Sequence, residues 1–186
     1  MATSTPWGVA QESTQLCRGI VQYSTAGHGG IHVSPSLNAQ IHEAWRVANG
    51  WYEEDCDWAI VAYHFPAVFP KEQAAAIRTL KAYNPDEYAT VTGKRVKLSE
   101  SHKLQERAFR KLHKADLMVI SAVGAWHDNV PAGMVGVTAA LGGRDERGHY
   151  GELRNFLVPA EEYHGRSGLL FVVSPERHQE VDRNLF

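Results

Sequence analysis

Residues 51–58 read Trp-Tyr-Glu-Glu-Asp-Cys-Asp-Trp, so four carboxylates and a thiol lie between two tryptophans. Three kinds of chemistry could use such a segment. A thiol becomes a nucleophile when a base deprotonates it, and His28 and His64 are the histidines that folding could bring to Cys56. Carboxylates can hold a hard cation, because Mg²⁺ and Ca²⁺ take oxygen ligands. An acidic stretch flanked by aromatic rings can also recognise a basic protein surface.

The neighbours weigh against the first two. Glu53, Glu54, Asp55 and Asp57 all disfavour a further negative charge, so Cys56 reads as a neutral thiol. The acids are consecutive and lack calcium-loop spacing; no HExxH occurs, and no histidine pairs with a cysteine at zinc spacing. On a helix Glu53 and Asp57 would share a face, and acids in a first helical turn would complement the positive end of its dipole. No metal ligand and no cofactor are therefore expected. Glu53, Glu54, Asp55 and Asp57 are taken as a binding surface.

A second charged segment has the opposite sign. Eight lysines and arginines fall between Lys94 and Lys114. Among them Lys103, Arg107, Arg110, Lys111 and Lys114 recur at helical spacing, opposite an apolar stripe of Leu104, Ala108, Phe109 and Leu112. Such a stripe can bind phosphate backbones or an acidic protein surface, and a solvated helix face is its ordinary explanation. With the acidic segment it makes the chain electrostatically bipolar, which suits protein recognition. Trp126, in a loop over 124–128, adds an exposed interface anchor, whereas Trp58 is expected in the core.

The elements that position these groups follow from periodicity. Alternation over 19–25 and 30–34 predicts a hairpin, with Ala26-Gly27-His28-Gly29 supplying positive-φ residues to its turn. Helices are expected over 35–44, over 57–65 (a strand at 59–63 being the alternative), over 71–83 up to Asn84-Pro85, and over 99–114 with Ser99 as N-cap. Strands at 117–123, 133–141, 152–158 and 168–173 form a meander. Strands, then helices, then strands without βαβ alternation make an α+β fold: one domain over 1–186, an antiparallel β-meander packed with about three to four helices.

Composition bounds the function. A chain of 186 residues that is 44% hydrophobic can build a core, and its net charge of −2 argues against a general affinity for nucleic acid or anionic lipid. Two cysteines make no disulfide framework. No secretory signal and no membrane-length apolar run is seen, so a cytoplasmic protein with no membrane partner is expected.

Pro6-Trp7-Gly8, Gly19-Ile20-Val21, Tyr23-Ser24-Thr25, His28-Gly29-Gly30 and the 51–58 motif together resemble an uncharacterised bacterial domain family carried by plasmids, phages and integrated elements. Leu141-Gly142-Gly143 and the stretch 156–163 are similar to the same family. The resemblance implies a mobile-element setting and supplies no activity or site residues. The expected function is a non-enzymatic protein-binding accessory protein of a mobile element, of the kind that inhibits host defence (anti-CRISPR or anti-restriction), with a host or element protein complex as partner. Two alternatives stand beside it: a cysteine-dependent hydrolase or transferase using Cys56 with His28 or His64, and a nucleic-acid-binding accessory protein using the basic 94–114 segment.

Overall fold

The computed structural model describes residues 3–145, 147–166 and 168–182. The fold is α+β with antiparallel sheets. The chain divides into two compact units, Met1–Leu104 and Gln105–Phe186, each with its own sheet.

The first unit begins with a small hairpin of β1 (Ser4–Thr5) and β2 (Gly8–Val9). A four-stranded sheet follows, in the order β3 (Glu12–Cys17), β4 (Ile20–Ser24), β5 (Gly29–Val33) and β6 (Trp51–Glu53). Between β5 and β6 lies the short α1 (Pro35–Asn38), so the helix expected over 35–44 stops early. Period-two alternation sets the faces of the sheet. Ile20, Ile31, Val33 and Tyr52 point into the core, while His32 pairs with Trp51 on the opposite face. Tyr52 fixes the loop before β6 by donating to Asn38 Oδ1 (2.6 Å) and accepting from the Val47 N–H (3.2 Å).

The inner face is covered by α2 (Trp58–His64), whose Ala59, Ile60, Val61 and Ala62 are all buried. The helix expected over 57–65 is present and the strand alternative at 59–63 is not, and its run of apolar residues reflects burial on several sides. Next come α3 (Gln73–Tyr83) and α4 (Pro85–Thr92). The sequence reading ends a helix at Asn84-Pro85 and leaves α4 out. The same dipeptide ends α3 and opens α4, because proline is accommodated at the first helical position. Gly93, at φ 69°, then closes α4.

After a 3₁₀ turn at Leu98–Glu100 runs α5 (His102–Leu112). Its cap is Ser101, not Ser99: the buried Ser101 hydroxyl accepts from the Leu104 N–H at 3.2 Å. No residue of α5 is buried, and Leu112 is 77% exposed, so the expected apolar stripe is not covered in core fashion.

In the second unit β7 (Leu117–Val123), β8 (Met134–Leu141) and β9 (Leu153–Pro159) form the meander, followed by α6 (Ala160–His164). The fourth expected strand shrinks to β10 (Val172–Val173), which pairs back onto β7, while β11 (Gln179–Val181) adds to β9. Val137, Phe156, Val158 and Val173 lie in the core of this sheet. Six α-helices occur among the described residues, the short α4 and α6 being those the sequence reading leaves out. No helix among them is long and apolar enough to cross a membrane.

Candidate functional site

The acidic motif is placed by the β4–β5 hairpin and by β6 beside it. At the hairpin bend the Thr25 side chain accepts the His28 N–H (3.2 Å) and donates to the His28 carbonyl (2.7 Å). The turn is therefore closed without any residue at positive φ between 25 and 30, contrary to expectation. The glycines serve a different need. A side chain at Gly30 would collide with the Trp7 ring and the Tyr52 carbonyl, and one at Gly29 with the Glu54 carboxylate and the Tyr23 carbonyl at 2.8 Å. Close packing, not backbone handedness, requires them.

That packing sets an aromatic cluster on the outer face of the sheet. Trp7 meets His28 and Trp51 edge-on at 5.9 and 5.8 Å, and Trp51 also contacts Tyr23 at 5.2 Å and His32 at 4.6 Å. His28 then bridges two acids, with Nε2 at 2.9 Å from Glu53 Oε1 and Nδ1 at 3.2 Å from Glu54 Oε1.

Residues 54–57 form a turn, not the helical turn the sequence reading entertained. Glu53 belongs to β6, and its carboxylate folds over the turn to accept the N–H groups of Asp55 (2.8 Å) and Cys56 (3.2 Å). No acid lies in the first turn of α2; Asp57 sits at its N-cap without a capping bond. Burial, and next the charge of Glu53, push the Asp57 carboxyl above the ordinary aspartate range, and a hydrogen bond from the Glu53 backbone opposes them. A nitrogen of His28 and oxygens of Glu53 and Asp55 lie within 4.8 Å of one another. Spacing in the sequence could not reveal this grouping, because it arises only when β5 pairs with β6.

Cys56 is partly buried. Burial raises its thiol above the usual range, and the charges of Glu53, Asp57 and Asp55 add to that. His64 is committed elsewhere. Its Nε2 accepts from the His42 N–H at 3.1 Å, so Nδ1 carries the hydrogen given to the Ile60 carbonyl at 2.8 Å. Burial lowers its pKa in keeping with that neutral form. Each candidate base thus has its ring nitrogens engaged by other groups, and among the described residues neither is hydrogen-bonded to the Cys56 thiol.

The basic candidates lie on and just beyond α5. Arg110 is tied to Glu106 Oε1 through Nε (3.1 Å) and Nη2 (2.7 Å) and to the Arg144 carbonyl through Nη1. Lys103, Arg107, Lys111 and Lys114 are exposed. Trp126 is 78% exposed in its loop, edge-on to His127 at 6.1 Å. Trp58, expected in the core, is only half-buried and lines a cleft with Glu54.

A family model described as a domain of unknown function, DUF7007, matches residues 1–114. The chain belongs to this family. The matched residues include the hairpin, the 51–58 motif, His64 and the basic helix, whereas Trp126 and the 141–163 stretch lie beyond them. No curated protein and no solved structure gave a match.

Proposed function

We propose that this member of the family is a non-enzymatic protein-binding accessory protein of a mobile genetic element, working in the cytoplasm against a host defence complex. It binds through the edge formed by His28 and residues 53–57. The supporting observation is the acidic turn itself: Glu53 folds across it and His28 bridges Glu53 to Glu54, so these two carboxylates are held by named partners. Preordered charge loses little entropy on binding and steers a basic partner. The mobile-element setting rests on the motif resemblance alone.

The thiol alternative is opposed by the raised Cys56 pKa and by the engagement of His28 and His64. Cys56→Ala should retain partner binding with a modest loss of stability, and iodoacetamide should alkylate Cys56 slowly near neutral pH. Rapid alkylation of Cys56, together with loss of biological activity in the alanine variant, would replace this reading with the enzymatic one.

A further inference from the structure

Beside the acidic turn a cleft of about 400 Å³ opens between the inner face of the sheet and the α2–α3 connection. Leu16, Ile31, Trp58 and Phe69 supply its apolar walls, and Glu54 and Glu72 stand exposed at its rim. No lysine or arginine is among its described lining residues. An apolar aromatic wall beneath two carboxylates matches a group with a long apolar stem and a cationic end. It repels anions and offers a neutral ligand no compensation for desolvating the acids.

We propose that this cleft takes an arginine- or lysine-bearing segment of the partner protein, the alkyl stem lying on Trp58 and Phe69 and the cationic head meeting Glu54 and Glu72. An aromatic face attracts such a cation in addition to the carboxylates, and more strongly where water is excluded. The cleft exceeds the size of a single side chain and falls within the usual range for ligand sites, leaving room for a flanking apolar residue. Glu54 is shared with the His28 bridge, so the cleft continues the acidic edge and sharpens the protein-binding reading on which it rests.

The test uses a capped leucine–arginine–leucine peptide and its citrulline counterpart, which keeps the shape and removes the charge. Each is titrated into the full chain at low salt while the Trp58 indole and Gln22 amide signals are followed by NMR. The arginine peptide is expected to bind about tenfold or more tightly than the citrulline peptide, a difference of about 1.4 kcal/mol. E54Q/E72Q is expected to abolish that preference with its amide spectrum otherwise unchanged. Equal binding of the two peptides, or an unaltered preference in E54Q/E72Q, overturns the proposal. Preferential capture of free spermidine makes the occupant a small polyamine and overturns it too, as does self-association of the wild type that E54Q/E72Q removes. The two readings fail separately. A host partner that ignores E54Q/E72Q but is weakened by Asp55→Asn removes the cleft and leaves the binding protein. Peptide binding without any host partner does the reverse.

Discussion

In the acidic 53–57 segment Glu53 engages His28 and the Asp55 and Cys56 amides, and Glu54 packs against Gly29. On α5, by contrast, Arg110 is held by Glu106 and the Arg144 carbonyl while Lys103 and Lys111 are exposed, as is Lys114 in the turn just beyond the helix. Both segments are rich in one charge, yet the first is positioned by strand pairing and the second by helical spacing. Charges fixed by close packing can present one geometry to a partner, whereas mobile side chains must be ordered at a cost of about 0.5–1.5 kcal/mol each. Under the proposed reading, support by close packing is what suits the acidic turn to recognition.

The largest effect should come from attacking that support. Gly30→Ala puts a methyl group where the Trp7 ring and the Tyr52 carbonyl lie, and should cost about 1–3 kcal/mol in urea denaturation. Trp7 emission should shift as its packing on Trp51 and His28 loosens. An unchanged midpoint would mean that the acidic turn does not depend on this packing.

How much of this was legible in the sequence follows the same division. The β4–β5 hairpin, α2, α3, α5 and the β7–β9 strands follow from local periodicity, and the α+β fold follows from their order. The glycines of the hairpin signal a constraint in the sequence, but its cause is close packing and not a positive φ. Backbone handedness is a local property, whereas the approach of Trp7 to Gly30 joins residues distant in sequence. The 51–58 motif stood out by composition, but His28 as its bridge became visible only through the β5–β6 register. The stripe of α5, with Leu104 and Phe109 only partly buried and Ala108 and Leu112 exposed, shows that an amphipathic pattern does not dictate how fully it is covered.

A smaller effect, of opposite sign, should appear at Asp57. Its folded-state pKa lies above the ordinary 3.8, so the unfolded chain releases the proton first. The stability linked to this group is complete below that value and is lost as the pH rises through the folded pKa. Asp57→Asn should therefore stabilise the protein at neutral pH, by less than about 1 kcal/mol because solvent screens the partly exposed carboxylate. The gain should disappear below about pH 3.8, which urea midpoints at the two pH values would check. A loss at neutral pH would show that Asp57 is a needed anion instead of a tolerated one.

The smallest effect belongs to the basic helix. Lys111→Glu and Lys114→Glu should each change stability by no more than about 0.5 kcal/mol, measured by thermal unfolding, because neither side chain supports packing. A larger loss would place these lysines in contacts comparable with those of Glu53, and the contrast between the two segments would disappear.

The most direct test compares both segments against the partner recovered from the native host. Association of the wild type, E54Q/D55N and K111E/K114E would be followed by biolayer interferometry at about 50 mM and about 500 mM salt, spanning strong and weak screening. The acidic variant should bind about tenfold more weakly at low salt, chiefly through slower association, and approach the wild type at high salt. K111E/K114E should stay within about twofold of the wild type at both. Unimpaired binding by E54Q/D55N, with loss of binding in K111E/K114E, would contradict the account and transfer recognition to the basic helix.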